Sequence, residues 1–291
     1  MNYIVCFTVD NETFHIVTNS SCVKNYLLHE LWDATCSNEF TPDLCDGYIE
    51  IRPQQSEYGQ FAFSEHNVIN GINGKKRLLQ LFSLKSMQPI RIFVNHIISI
   101  RLVDRRIPIH ASTICLDNKG IMFCGIKNSG KSSLSLASVL WHNCKFLTDD
   151  ISFIDVKDDN DVCSVLRGIH IGCGEISLIK NKFLIKKDFL STPERKDRII
   201  LNKDYCCKKQ KINHIVFPIL QNESKYFSVF KLSVDDAAKK LMENSISFGN
   251  NSSCFDMDCA KQIINNIDSA FIVHIGTDID FSCNEIITFI S

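Results

Sequence analysis

The chain carries Gly125-Ile126-Lys127-Asn128-Ser129-Gly130-Lys131-Ser132, which has the spacing G-x-x-x-x-G-K-S. A short apolar run, Ile121–Cys124, precedes this stretch and predicts a buried strand. The segment that follows it has Leu136, Val139 and Leu140 at helical spacing, which predicts a helix. This order of strand, glycine-containing loop and helix indicates an α/β fold built around the loop.

The loop composition is typical of phosphate binding. Glycines let the backbone N–H groups converge on phosphate oxygens, and the following helix adds a partial positive charge at its N-terminus. Lys131 would reach the outer phosphates and the Ser132 hydroxyl would ligate Mg²⁺. A Gly-Ser turn that matches the spacing by chance is the alternative, and the flanking strand and helix argue against it. The expected nucleotide-binding residues are Gly125, Asn128, Ser129, Gly130, Lys131, Ser132 and Ser133.

Two adjacent carboxylates, Asp149 and Asp150, follow the apolar residues Phe146-Leu147 downstream of this loop. Phosphoryl transfer uses one such carboxylate to hold Mg²⁺ and another to accept the proton of the attacking hydroxyl. A solvated turn is the alternative. Because Ile151–Ile154 continues as a predicted strand, the pair interrupts apolar sequence, and we favour a functional role.

Composition limits the class of protein. The 291 residues are 45% hydrophobic and 22% charged, with a net charge of −1, which describes a globular chain with no general affinity for nucleic acid or anionic membranes. We expect no signal peptide and no membrane span, and therefore a cytoplasmic protein. The 14 cysteines include no C-x-x-C pair, which favours buried reduced thiols over disulfides or a metal cluster.

Two domains are expected, a small α+β domain over residues 1–88 and an α/β domain over 89–291. The first should open with a hairpin over residues 3–18, followed by a helix capped by Ser20 or Ser21. The second should begin with a helix near Pro89, followed by one strand over Ile109–Leu116 that forms a hairpin with the strand before the loop.

Several further polar residues were candidates for the site. His110 on the predicted strand is by its position more typical of a structural histidine. Arg167 or Glu175 could face the nucleotide from a glycine-rich segment. Residues 180–211 predict an exposed basic segment, from which Arg195, Lys196 and Arg198 either approach phosphates or remain solvated.

Taken together, these landmarks resemble a known family. Ile107–Ser112, the loop Gly125–Ser132, Leu147–Asp150 and Leu166–Gly168 resemble successive motifs of HPr kinase/phosphorylase. They resemble still more the HPr-kinase-like proteins of peptide-modification gene clusters, including lasso-peptide kinases. Ile215–Pro218 with Leu232-Ser233 also looks like that group, so the resemblance runs from about residue 100 onward.

The resemblance implies a mixed sheet with helices and an ATP- and Mg²⁺-dependent kinase. It implies that Lys131 binds the β- and γ-phosphates, that Ser132 binds the metal, and that His110 lies beside the transferring phosphate. Asp150 matches the family's catalytic base most closely, with Asp149 as the alternative, and both would also serve the metal. The relatives often form homo-oligomers.

The chain departs from the bifunctional members of the family at two points. Val165 stands where they carry a metal-binding glutamate, for which Glu175 is a candidate replacement, and their C-terminal phosphorolysis signature is absent. The resemblance therefore implies kinase activity without support for phosphorylase activity or for HPr as substrate.

The function expected from the sequence is transfer of the γ-phosphoryl group of ATP to a Ser or Thr hydroxyl of a peptide or protein. A ribosomally made peptide precursor is the favoured acceptor, with the N-terminal domain helping to recognise it. Two alternatives remain open at this stage: a small-molecule kinase on the same core, and a non-enzymatic nucleotide-binding sensor or assembly protein.

Overall fold

The computed structural model describes residues 2–37, 45–51, 61–69, 72–81, 88–157, 160–170, 198–246 and 255–291. The chain divides into two compact units, residues 1–101 and 102–291. The division lies after Arg101, whereas the sequence placed it after residue 88, so the helix expected near Pro89 belongs to the first unit. Within the described residues, no helix is long and apolar enough to cross a membrane.

The first unit is built on a six-stranded sheet with the order β3-β1-β2-β4-β6-β5. Its strands are β1 (Tyr3–Val9), β2 (Glu12–Thr18), β3 (Thr35–Ser37), β4 (Gly47–Ile51), β5 (Phe61–Ile69) and β6 (Ile72–Leu81). The expected hairpin is β1-β2, which turns through Asp10 and Asn11, both with positive φ. Asn and Asp tolerate this left-handed conformation better than most residues.

Two helices accompany this sheet. Helix α1 (Ser21–Glu30) has Ser20 as its N-cap, and the Ser20 hydroxyl accepts a hydrogen bond from the Val23 N–H. Helix α2 (Gln88–Arg101) buries Phe93 and Ile97, and a Cβ atom at Gly47 would lie 2.4 Å from Ile97 Cδ1. Gly47 is therefore required by the close approach of α2 to β4.

The second unit contains the remaining strands and helices. Its strands are β7 (Arg106–Ile109), β8 (Ala111–Leu116), β9 (Lys119–Cys124), β10 (Lys145–Thr148), β11 (Ser152–Asp155), β12 (Asp161–Cys163), β13 (Gly168–His170), β14 (Arg198–Ile200), β15 (Lys209–Leu220), β16 (Phe227–Lys231) and β17 (Ser269–Ile275). Its helices are α3 (Lys131–Trp141), α4 (Val234–Glu243), α5 (Met257–Asn265) and α6 (Ile279–Ile290).

Strand β15 organises the sheet of the second unit. It pairs in parallel with β9 on one side and with β17 on the other, while its first residues pair with β12. Strands β8 and β9 are antiparallel, as are β16 and β17, so the sheet is mixed, as expected. The core beneath it is apolar and includes Met122, Ile215, Ala238 and Ile263.

The strand expected over Ile109–Leu116 is instead two strands, β7 and β8, with a break at His110. The chain from Lys145 to Asp155 runs antiparallel beside them, because β10 pairs with β8 and β11 pairs with β7. Its own break, at residues 149–151, faces the break at His110. The apolar sequence on both sides of His110 gave no sign of this interruption.

Candidate active site at the end of strand β9

The loop between β9 and α3 has the backbone that its sequence predicts. Asn128 has φ 67° and Gly130 has φ 93°, the left-handed region that Gly and Asn occupy most readily. A Cβ atom at Gly125 would lie 2.9 Å from Ser129 Oγ, so the loop closes on itself where Gly125 stands. Gly130 is the N-cap of α3, and the helix therefore begins with its free N–H groups at the loop.

Lys131 is the first residue of α3 and points back into this loop. Its ammonium donates to the carbonyl oxygens of Gly125 and Ile126, each at 2.7 Å. The residue is only 6% exposed. Burial lowers the pKa of Lys131, and the negative charges of Asp149 and Asp150 partly oppose this shift. An ammonium held by two neutral carbonyls is available for exchange onto anionic oxygens.

The next residue, Ser132, connects α3 to the carboxylate pair. Its hydroxyl donates to Asp149 Oδ1 at 2.7 Å, and Asp149 is buried. A hydroxyl and a carboxylate in contact are two of the oxygen ligands that Mg²⁺ takes in phosphate sites. The ion completes its octahedron with water and phosphate oxygens, so two protein ligands suffice. No larger cluster of His, Cys, Asp and Glu able to hold a metal occurs among the residues that the structure describes.

Asp150 occupies a strained turn at the break between β10 and β11. Its φ is 66°, and the Ile151 N–H donates to the Asp149 carbonyl at 2.9 Å, which closes a three-residue turn around it. Turns of this kind with positive φ are rare and cost free energy. The turn separates the two carboxylates: Asp149 is buried against α3, and Asp150 is half-buried.

Buried hydroxyl groups fix the position of this turn. The Ser112 hydroxyl donates to the Thr148 carbonyl at 3.0 Å, and its oxygen also lies 2.7 Å from Ser135 Oγ of α3. On the other side of the turn, Ser152 Oγ lies 2.7 Å from Thr148 Oγ1 and 2.8 Å from Thr113 Oγ1. The residues before and after the aspartate pair are therefore tied to β8 and α3, which makes the turn rigid.

His110 lies across from this turn, in the break between β7 and β8. Its backbone N–H donates to the Asn244 carbonyl at 2.7 Å, and Ile109 pairs with Ser245. Burial lowers the pKa of His110, the Lys131 ammonium lowers it further, and the Asp150 carboxylate opposes both. His110, Lys131 and Asp150 thus lie near enough to share one electrostatic environment, with a neutral imidazole at pH 7.

The loop also contains a buried polar atom that fits a phosphate ligand. Ser129 is 6% exposed, and its hydroxyl has no hydrogen-bond partner among the residues that the structure describes. A buried hydroxyl without a partner costs free energy unless a ligand or water satisfies it. Together with the N-terminus of α3 and the Lys131 ammonium, it gives the loop the donors that a phosphate group requires.

Other expected site residues have different surroundings or cannot be placed. Arg167 is buried, and its guanidinium donates to the Leu201 carbonyl at 2.6 Å. Glu175, Arg195 and Lys196 lie outside the described residues. Arg198 begins β14, which pairs with β13. Val165 is buried, as an apolar residue should be.

Sequence reasoning missed a buried ion-pair network at the far end of the two strands, β7 and β11, that flank the break. The Arg106 guanidinium, with no exposed side-chain surface, lies 2.8 Å from Asp161 Oδ1 and 3.5 Å from Asp155 Oδ2. It also donates to the carbonyls of Phe153 and Asp161. This network fixes β7 against β11, the two strands that end at the break. The available signal was Arg105-Arg106, which lies just before the strand predicted over Ile109–Leu116.

Comparisons with known proteins do not assign this chain to a family. No protein-family model matches the chain, and no curated protein matches it. Among solved structures, the Hpr(Ser) kinase/phosphatase from Coxiella burnetii aligns with 63% of this chain and 99% of its own, at 11% sequence identity and a TM-score of 0.32. The chain is similar to that protein at this level only, and the geometry of the site carries the proposal below.

Proposed function

We propose that this protein is an ATP- and Mg²⁺-dependent kinase that transfers the γ-phosphoryl group to a Ser or Thr hydroxyl of a peptide or protein. The observation that carries the proposal is the pair of contacts at the start of α3. Lys131 fills the phosphate loop, and Ser132 bonds to Asp149 at 2.7 Å. Asp150 and His110 lie at the facing breaks beside them.

In this proposal the loop and the first turn of α3 bind the phosphates. The loop residues Asn128 to Gly130 and the helix N–H groups up to Ser133 present donors to phosphate oxygens. Lys131 exchanges its two carbonyl partners for the β- and γ-phosphate oxygens, where a charge-assisted hydrogen bond is stronger. Ser132 and Asp149 would hold Mg²⁺, which neutralises phosphate charge when bound.

Asp150 is assigned as the base. It is half-buried, whereas Asp149 is buried and accepts a hydrogen bond from Ser132, so the Asp150 carboxylate is the more accessible of the two to an incoming acceptor. Asp150 accepts the proton of the acceptor hydroxyl as that oxygen attacks phosphorus. The tied strands on either side of the turn keep its carboxylate in place. Asp150 can serve the metal as well through water.

We assign His110 a contact with the γ-phosphoryl group during its transfer. A neutral imidazole is an N–H donor, and the nearby Lys131 ammonium disfavours its protonation. Its N–H would therefore stabilise charge on the γ-phosphoryl oxygens by a hydrogen bond.

The acceptor class rests on the sequence resemblance. A ribosomally made peptide precursor is the favoured acceptor, and the N-terminal unit would contribute to its recognition. The kinase would act in the cytoplasm, and a homo-oligomer fits the same resemblance.

An acceptor panel tests the proposed reaction. The full chain is incubated with γ-labelled ATP, Mg²⁺ and peptides encoded beside its gene. Control peptides have each Ser and Thr replaced by Ala. A parallel set of reactions offers small metabolites that carry a hydroxyl group. Label on a peptide that is lost in its Ala control supports the proposal. Label on a metabolite alone would establish a small-molecule kinase instead, and nucleotide binding without transfer to any acceptor would favour a sensor.

A further inference from the structure

The parallel strands β9, β15 and β17 end beside exposed apolar side chains that the proposed phosphoryl transfer does not use. Ile126, the residue after Gly125 in the loop, is 78% exposed, and Leu220, the last residue of β15, is 44% exposed. Ligands of open α/β sheets bind outside the carboxyl ends of the strands. These two side chains therefore lie on the side of the sheet where a ligand of the loop is expected.

Two close approaches place the ends of β15 and β17 against the loop. A Cβ atom at Gly125 would lie 3.8 Å from the Pro218 carbonyl oxygen, and a Cβ atom at Gly130 would lie 3.2 Å from Ile275 Cδ1. Leu220 follows Pro218 by two residues and is opposite Ile275 in the pairing of β15 with β17. The end of β15 is consequently one wall of the space in front of the loop.

One edge of β15 is open at this end. The Gln221 N–H donates to the Ile275 carbonyl at 2.8 Å, so in this parallel ladder the backbone groups of Ile275 face β15. The backbone N–H and C=O of the opposite residue, Leu220, then point to the other edge of β15, as the Pro218 carbonyl does. On that edge the pairing with β9 stops at Val216, and no strand among the described residues continues it. Leu220 thus presents an adjacent donor and acceptor beside the loop.

The strand order decides which part of a nucleotide reaches this edge. The sheet runs β10-β8-β9-β15, and the loop follows β9. The residues assigned to phosphoryl transfer, His110, Asp149 and Asp150, adjoin β8 and β10 on one side of β9. A nucleotide whose γ-phosphoryl group faces Asp150 has its nucleoside on the opposite side of the loop, where β15 ends.

We propose that the open edge of β15 at Leu220 and the side chain of Ile126 bind the adenine base of ATP, an inference that rests on the proposed kinase function. Adenine carries its 6-amino donor beside a ring-nitrogen acceptor, which match the Leu220 C=O and N–H. The apolar side chains of Ile126 and Leu220 contact the base, as is usual in ligand pockets. Guanine has an acceptor oxygen at position 6, which would face the Leu220 carbonyl, so the same edge disfavours GTP.

Calorimetric titration of the full-length protein with ATP, GTP and inorganic tripolyphosphate, each with Mg²⁺, tests this proposal. Leu220→Pro removes the N–H on the open edge, where proline is tolerated and Pro218 already stands. Ile126→Ser removes apolar surface from an exposed position. Phe289→Ala is the control, because Phe289 is 51% exposed but contacts Phe271, in the first half of β17.

We expect the wild type to bind ATP about tenfold more tightly than GTP. Leu220→Pro and Ile126→Ser should each raise the Kd for ATP about tenfold, through a lost hydrogen bond and lost apolar contact respectively. Both should leave the Kd for tripolyphosphate within about twofold, because the phosphate donors are distant from the substituted groups. Leu220→Pro should also reduce the preference for ATP over GTP, and Phe289→Ala should match the wild type with all three ligands.

Three results would count against the proposal, and they are distinguishable. Unchanged ATP affinity in both variants of a wild type that binds ATP would overturn the adenine site and leave the kinase proposal standing. An equal loss of tripolyphosphate affinity would overturn it too, because the substitutions would then act through the phosphate loop. A folded wild type that binds neither ATP nor tripolyphosphate would overturn the proposed kinase function, and the adenine site with it.

Discussion

The buried ammonium of Lys131 donates hydrogen bonds to two backbone carbonyls. A long cationic side chain confined in this way has already lost much of its rotamer freedom, so exchange onto phosphate oxygens costs little additional entropy. The contribution of the loop is therefore to fix the position of the Lys131 charge.

Replacing this ammonium should weaken nucleotide binding. Lys131→Met keeps the aliphatic part of the side chain but removes a charge-assisted hydrogen bond, which is worth roughly 1.5–3 kcal/mol, or about 10–100-fold in Kd. The matched control is Lys127→Met, because Lys127 is an exposed lysine of the same loop. Titration with a fluorescent ATP analogue measures both. Equal losses in the two variants would contradict a specific role for Lys131.

A second prediction for a single residue concerns His214 and the pH dependence of the free energy of unfolding. Burial lowers its pKa, the nearby Lys119 also lowers it, and Asp268 partly opposes this, while its Nδ1 lies 2.8 Å from Ser269 Oγ. In the unfolded chain the pKa of histidine is about 6.5. Because the pKa of His214 in the folded protein is lower, the unfolded chain takes up the proton more readily as the pH falls. The contribution of His214 to stability is therefore present above about pH 6.5 and is lost as the pH falls below it.

Urea unfolding at pH 7.5 and pH 5.5 measures this effect. His214→Gln should lose less stability between the two values than the wild type, with a difference of at most about 1.4 kcal/mol per pH unit for one proton. A wild-type and variant pair with the same pH dependence would show that His214 does not contribute.

At the scale of elements, the site depends on two strand breaks that face each other. The carboxylate pair at Asp149-Asp150 is visible in the sequence because it interrupts an apolar run. The break at His110 is not visible, because Ile109 and Ala111 on either side suit a continuous strand. Only pairing with residues about 40 positions away, Ser152 opposite Ile109, shows where β7 ends.

The order of strand, loop and helix over β9 and α3 was predictable because its determinants are local: two glycines, a lysine and a helix start. The Arg106 network was not, because its acidic partners Asp155 and Asp161 come from β11 and β12. Composition gives no register, and charged residues are usually exposed. The hydrogen bond from Ser132 to Asp149 likewise could not be predicted, because it depends on how α3 lies relative to the residue that follows β10.

Removal of the buried guanidinium should destabilise the second unit. Arg106→Met removes the buried cation between Asp155 and Asp161, which keep Arg105 and Lys209 as partners. We therefore expect a cost of about 3 kcal/mol, the lower end of the range for breaking a buried ion pair. Arg105 is the matched control, because it pairs with the same Asp155 but its side chain is 41% exposed. Arg105→Met should cost about 1 kcal/mol or less. Chemical denaturation measures the loss of unfolding free energy in both variants. Similar losses would refute a structural role specific to Arg106.

At the scale of the whole molecule, each unit has an apolar core of its own. One cluster includes Ile4, Val17 and Tyr48, and another lies entirely within residues 107–272. The described residues of the candidate site all belong to the second unit. This separation suits a division of labour between acceptor recognition and phosphoryl transfer.

Separate expression of the second unit tests that division. Residues 102–291 alone should bind an ATP analogue with a Kd within about threefold of the full chain, because all the proposed phosphate donors remain. Transfer to a peptide acceptor should fall if the first unit contributes to recognition. Unaltered transfer by a folded 102–291 fragment would remove the first unit from the reaction.

The most direct measurement compares the wild type with Asp150→Asn for ATP binding and phosphoryl transfer in the same samples. Asn tolerates the positive φ of 66° at this position, so the turn is preserved while the base is removed. Asp117→Asn is the control, because Asp117 also has positive φ and is exposed in the turn between β8 and β9.

We predict unchanged ATP binding by Asp150→Asn and a loss of transfer of about 100-fold or more, the usual contribution of a general base. Asp117→Asn should match the wild type in both. Transfer by Asp150→Asn at the wild-type rate would contradict the account of the site.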